Sequence, residues 1–245
     1  MLKTALLLTG QYRTLDYTIE NWRQFIMEPF DCLSDFYLSI YETNGKRIDT
    51  GDICSRGALC NAKFDPTALD EEYLKNLHNC KKLIMENYQD VALKQNFKSK
   101  SFLVKNIITK KYNQDRRFEW FFSQYYKRYT GVQYLLKQDY DLVICSRPDF
   151  KPTYTPQIKD LNPNNIYISL SNPLDGYHDF YIISSPQNLL KIFNIYKEVN
   201  TKVVPYFLKT DPNKLTCGHS LLTYYIDNVL NIPVTKINLF GELQR

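Results

Sequence analysis

KTALLLTGQYRTLDYTIENWRQFIMEPFDCLSDFYLSIY, residues 3–41, decides the fold class. Its first seven residues form an apolar run that stops at the turn-like GQYRT. Residues 14–28 then place Leu15, Ile19, Trp22, Phe25 and Ile26 at roughly helical spacing, and Pro29 closes them. SDFYLSIY, 34–41, reads as a second strand. Strand, turn, helix and strand within about 40 residues make a βαβ unit, which points to a parallel sheet. The leading MLKTALLLTG superficially resembles a signal peptide, but it lacks a small-residue cleavage site, and Gln11, Arg13 and Asp16 follow at once. It is read as a first buried strand.

The pattern continues outward. Residues 43–66 are irregular and punctuated by Gly45, Gly51, Gly57 and Pro66. DPTALDEEYLKNLHNCKKLIMENY, 65–88, reads as a helix with acids early and lysines late, an order that complements the helix dipole. Over 113–138, Phe118, Phe121, Phe122, Tyr125, Tyr129, Val132, Leu135 and Leu136 recur at three- and four-residue steps as a broad apolar stripe. On the other side of that helix Gln124, Lys127 and Arg128 are spaced to share one face. Strands are expected at 141–146, 166–170, within FYIIS (180–184) and at 234–240. Ser185-Pro186 starts a helix with a cap and a proline at its first position, and a last helix covers about 219–230. The sum is one α/β domain over 1–245: a Rossmann-like, mixed, mostly parallel sheet flanked by helices. That class places ligands beyond the carboxyl ends of its strands.

Composition narrows the function classes. No stretch reaches the ~20 apolar residues of a membrane span. Six cysteines, at 32, 54, 60, 80, 145 and 217, show no CxxC and no paired metal spacing, so reduced thiols and a cytoplasmic location are the default. Basic residues number 31 against 26 acidic, and the excess is local. Nine Lys/Arg lie between Lys98 and Arg128 against only Asp115 and Glu119, which suits an anionic ligand, nucleic acid, or simply a solvated helical face. Walker A, GxGxxG, GxSxG and HExxH patterns are all missing, so a nucleotide would be held by side chains, a metal or a less regular loop.

Four constellations carry possible chemistry, each beside a plainer alternative. In Thr9-Gly10-Gln11-Tyr12-Arg13, Gly10 lets backbone approach a ligand and Arg13 offers a planar fork to phosphate. The alternative is a turn whose arginine pairs with a local carboxylate. In DYDLVICSRPDF, 139–150, Asp149 is a candidate ligand for a divalent cation bridging a diphosphate. Arg147, on the same face if extended geometry persists, would neutralise the same phosphates; the alternative is an Arg–Asp surface pair of little energetic worth. Asp175-Gly176-Tyr177-His178-Asp179 is either a hairpin turn or the carrier of a general base, and His219 is either a site residue or a helix-start residue.

LLLTGQYRTLDYTIENW, DFYLSIY, SQYYKRY, YDLVICSRPDF and DGYHDFYIIS occur in this order. The set resembles glycosyltransferases of the nucleotide-diphospho-sugar, GT-A-like type found in giant and algal viruses and in bacterial polysaccharide clusters. The resemblance spans most of the chain and is thin over 43–110. It implies transfer of a sugar from a UDP- or GDP-linked donor to a glycan or other hydroxyl acceptor, in the cytoplasm (of the host, if viral). It places Gly10, Gln11 and Arg13 at the nucleotide end, Gln124 and Lys127 on the helix backing the site, Asp149 in the place of the acid that binds Mn²⁺ or Mg²⁺, and Asp179 as a candidate base or acceptor-binding acid. Beside these, Thr9, Tyr12 and Arg147 are taken as donor-binding and His219 as catalytic from the residues themselves. About 1–150 would be the nucleotide-binding half and 151–245 the acceptor side. The chain departs from the family pattern at Cys145, where arginine is frequent, at Arg147, where a DxD motif has its first acid, and at Ser220-Leu221, where a glutamate is frequent. A catalytically inactive sugar- or nucleotide-binding relative, and a nucleic-acid module using 98–128, are the alternatives; among partners nucleic acid is the less favoured.

Overall fold

The computed structural model describes residues 2–44, 52–53, 59–60, 66–97, 117–158, 160–172, 176–211, 214, 218–238 and 240–243. The first strand, β1 (Thr4–Gly10), is parallel to β2 (Phe36–Tyr41) on one side and to β4 (Leu142–Ser146) on the other, with Leu7 opposite both Tyr37 and Cys145. Beyond β2 lies β3 (Lys82–Glu86); beyond β4 lies β7 (Tyr181–Ser184), then β6 (Ile166–Ile168) and β8 (Val234–Lys236). This seven-stranded sheet runs β8-β6-β7-β4-β1-β2-β3, and the short strand β5 (Phe150–Pro152) lies outside it. Only β7 is antiparallel to its neighbours. The mixed, mostly parallel α/β class is therefore the one expected, and strands from both sides of residue 150 enter the same sheet.

Apolar runs form the central strands because helices cover both faces. In β1, Ala5 and Leu7 point to one core while Leu6 and Leu8 point to the other. The same alternation sends Val143 and Cys145 of β4 one way and Leu142 and Ile144 the other. Helix α1 (Leu15–Trp22), continued by a wider turn over Arg23–Met27, buries Leu15, Ile19, Trp22 and Ile26 against the second face. The long helix α4 (Arg117–Leu135) covers the first face with Phe121, Phe122, Tyr125, Val132 and Leu135. Ser185 starts α5 (Pro186–Phe193) as anticipated, its hydroxyl accepting from the Asn188 N–H. Helical turns then run through Thr210, and α6 (Gly218–Tyr224) leads by a wider turn to Leu230. No helix among the described residues is long and apolar enough to cross a membrane.

One expected element is different. Residues 65–88 do not form a single helix: α2 (Glu71–His78) ends at Asn79, whose φ of 47° turns the chain left-handed. Lys82–Glu86 then becomes the edge strand β3, with Leu83 opposite Leu38, and α3 (Tyr88–Lys94) starts at an Asn87 cap. A left-handed residue cannot continue a right-handed helix, and asparagine tolerates that conformation. Most of the irregular 43–66 segment lies outside the described residues, as do 98–116 of the basic stretch.

Helix α4 approaches the sheet at Gly131. A Cβ built there would meet the Leu7 methyls at 3.0 and 3.1 Å and Ser39 Cβ at 3.1 Å. Mid-helix glycine costs about 1 kcal/mol relative to alanine, so close approach to the strands is what compensates for it. Gly131→Val should lower stability by about 1–3 kcal/mol through overpacking, read as a lower urea midpoint at unchanged slope.

Candidate functional site

The carboxyl ends of β1 and β4 bring together two segments that are 136 residues apart. After Ser146 the chain makes a turn rather than continuing extended: the Phe150 N–H donates to the Arg147 carbonyl at 3.2 Å, with Pro148 in the second position, which its fixed φ suits. Arg147 and Asp149 thereby become a forked pair. Arg147 Nε donates to Asp149 Oδ1 at 2.8 Å and Nη2 to Oδ2 at 2.7 Å. Helix α1 holds the turn from beneath, Thr18 Oγ1 donating to the Pro148 carbonyl at 2.7 Å.

Arg13 completes the cluster from the other segment. Its Nη1 donates to Asp149 Oδ2 at 2.7 Å and its Nε to Gln11 Oε1 at 3.1 Å. Backbone geometry aims it there: Gly10 has φ 123° and Arg13 itself φ 49°, and the Arg13 N–H is tied to the Asn44 carbonyl at 2.7 Å. A non-glycine residue left-handed at the mouth of a sheet is uncommon enough to mark a built position. Asp149 is only 2% exposed, Arg147 9% and Arg13 20%, so the carboxylate is the least accessible of the three groups. The pairing is thus buried, not the weak surface pair that the residues alone would suggest. Burial pushes the Asp149 carboxyl up, but Arg147 and Arg13 outweigh it and hold it well below the usual carboxylate range.

A second group forms beside the first, where β7 begins. Because β7 runs antiparallel to β4, with Tyr181 opposite Ser146, the residues entering it reach the carboxyl edge of the sheet. Asp179 Oδ2 accepts from Gln124 Nε2 at 2.6 Å and lies 3.7 Å from Arg128 Nη1; the Asp179 carbonyl accepts from Arg128 Nη2. His219, in the first turn of α6, sits with Nδ1 3.0 Å from the Tyr177 carbonyl and 3.7 Å from Asp179 Oδ1. A carbonyl only accepts, so Nδ1 carries the proton and, in the neutral ring, Nε2 keeps its lone pair. Burial raises the Asp179 carboxyl; Arg128, His219, Arg147 and the Gln124 hydrogen bond pull it below its ordinary value. Phe180 links the groups, its ring 5.8 Å from the Arg147 guanidinium carbon and 6.0 Å from the His219 ring.

Other expected site residues are placed elsewhere. Tyr12 packs in the core beside α1 with its hydroxyl on Asp16, and Thr9 Oγ1 donates across strands to the Ser146 carbonyl at 3.3 Å. Lys127 does not join Gln124 and Arg128. Fully buried, it pairs with Glu86 at 2.7 Å at the end of β3 and lies 5.3 Å from the Tyr41 ring centroid. Burial lowers its pKa more than Glu86 raises it. Since Lys127 and Arg128 both face inward, the end of the basic stretch is not a surface for nucleic acid. Arg128 is the participant whose role spacing understated, although its place one turn after Gln124 signalled it. Glu86 was hidden because its strand has a helical neighbour on each side.

The residues present do not fit a divalent cation at Asp149. Both of its oxygens accept from guanidinium N–H groups, and a cation there would lie beside two fixed positive charges. A divalent cation 4 Å from one such guanidinium is repelled by about 8 kcal/mol at an effective dielectric constant of about 20. Among the described residues no three His, Cys, Asp or Glu side chains are grouped to hold a metal ion.

No family model matches the sequence, and no curated protein matches it. Among solved structures, the apo form of mouse xyloside xylosyltransferase 1 is similar at 10% identity, with 96% of this chain and 85% of that chain covered and a TM-score of 0.45. At such a distance, chemistry has to be read from this chain's own residues.

Removing the charge of Asp149 takes this carboxylate from the buried Arg147 and the half-buried Arg13. Asp149→Asn should cost about 3–5 kcal/mol at neutral pH. A carboxyl depressed on folding stabilises fully above its unfolded pKa of about 3.9 and loses that contribution as pH falls toward the native value. Urea unfolding should therefore show the gap between wild type and variant narrowing by about 1 kcal/mol between pH 7 and pH 3. An identical gap at both pH values would contradict the pairing.

Proposed function

We propose that this chain is a glycosyltransferase that moves a sugar from a nucleoside-diphosphate donor to a hydroxyl acceptor such as a glycan. The observation that carries the reading is the adjacency of two unlike groups at one sheet edge. A cationic pair, Arg13 and Arg147, suits an anionic leaving group, and beside it the Asp179–His219 pair suits a hydroxyl that must lose a proton. The ordered resemblance of GQYRT, SRPD and DGYHD to nucleotide-sugar enzymes supports the same division of labour. In this reading the 1–150 half serves the donor and the 151–245 half the acceptor.

Glycosyl transfer develops negative charge on the departing diphosphate, and fixed guanidiniums stabilise that charge without reorganising. Gly10 leaves room for the donor: an ideal Cβ at that position meets no atom within 4 Å. On the acceptor side, His219 Nε2 is the better proton acceptor, since Asp179 is held ionised by Arg128 and is correspondingly weak as a base. Asp179 then stabilises the imidazolium that forms. Gln124 and Arg128, both buried, orient Asp179.

Calorimetry of the folded chain against a panel of UDP- and GDP-sugars should give binding heat with at least one donor; silence across the panel would sink the proposal. With the donor identified, His219→Gln should keep donor affinity within about twofold and lower turnover by about 100-fold or more, as loss of a positioned base does. Asp179→Asn should lower turnover less.

A further inference from the structure

We propose that the diphosphate is held by Arg13 and Arg147 without a divalent cation, and that Asp149 is the anchor of those two arginines instead of a metal ligand. The identity of the ligand as a nucleotide sugar rests on the function proposed above; the anion site itself does not. Its parts are fixed before any ligand arrives. Arg147 is clamped by two hydrogen bonds to Asp149 and lies over Phe180, while Arg13 is clamped by Asp149 and Gln11. Preorganised charge of this kind loses little conformational freedom on binding.

Both guanidiniums converge on the same carboxylate, so two cationic groups meet at one point of the sheet edge, while the neighbouring Arg128 lies 3.7 Å from Asp179. The order of exposure matters equally. Arg13 is the most exposed of the three side chains and Asp149 the least. A phosphate is attracted by both guanidiniums, whereas a cation is repelled by both.

Inorganic pyrophosphate is the probe, titrated by calorimetry into the full chain in EDTA. Binding is expected there, weakened about tenfold or more in Arg13→Gln, the size of one lost charge-assisted hydrogen bond. Arg13 is the more exposed arginine, and a thermal melt of the variant checks that it folds; Arg13→Lys, which keeps the charge, should bind with intermediate affinity. Mn²⁺ added alone, followed by the loss of its free electron-paramagnetic signal, should not be taken up by the wild type. The inference is overturned if pyrophosphate binds only after Mn²⁺ is added, or if Arg13→Gln binds as tightly as wild type. Mn²⁺ uptake that Asp149→Asn abolishes overturns it as well. Pyrophosphate binding in EDTA with no UDP- or GDP-sugar bound leaves the arginine site standing and removes the glycosyltransferase reading.

Discussion

The Asp149 carboxylate, buried between Arg13 and Arg147, fixes the carboxyl edge of the sheet. Withdrawing a lone carboxylate from water costs several kcal/mol, so this position is tenable only with its cations in place. The two arginines arrive on loops after different strands, so satisfying the charge also sets where the ends of β1 and β4 stand relative to each other. Helix α1 is tied in by Thr18, which holds the Pro148 carbonyl. The Pro148 turn and the left-handed Arg13 both serve that one requirement.

The same rule operates twice on α4. Lys127 and Arg128 are both buried, and each reaches a different carboxylate: Glu86 at the end of β3 and Asp179 before β7. Consecutive helical residues point about 100° apart, so one helix lying across the sheet serves strands on both sides of β1. Close seating makes this reach possible. Gly131 lets α4 rest on β1 and β2, and Ser39 and Tyr41 of β2 donate to the α4 carbonyls of Lys127 and Ser123. Fold and site therefore share their interactions: the contacts that seat α4 also deliver Gln124 and Arg128 to Asp179.

Much of this was legible along the chain. The runs TALLLTG, FYLSIY and LVICS are strands because helices cover both faces, which removes the polar half of the usual alternation. The Ser185-Pro186 helix start followed from local capping chemistry. Residues 65–88 misled because β3 is a five-residue edge strand with only three consecutive apolar side chains, flanked by acids and lysines at helical spacing. At 147–149 an extended reading put Arg147 and Asp149 on one face; the proline turn brings them together differently, as a fork closing on its own acid. The three-residue grouping of Gln124, Lys127 and Arg128 failed for a related reason. A helix face is about 100° wide or more, and only the packed neighbours decide which strand each member meets.

Sequence by itself determined the α/β class, six of the seven sheet strands in chain order, the helix starts near residues 15, 186 and 218, and the candidate segments GQYRT, SRPD and DGYHD at strand ends. Those are local matters of periodicity, capping and turn chemistry, encoded within a dozen residues. Tertiary structure alone decided which acid holds which cation: Asp149 with Arg13 and Arg147, Asp179 with Arg128, Glu86 with Lys127. The strength of such a pair depends on distance and burial. Both are set by how segments as many as 136 residues apart meet across the sheet, and spacing along the chain does not record either.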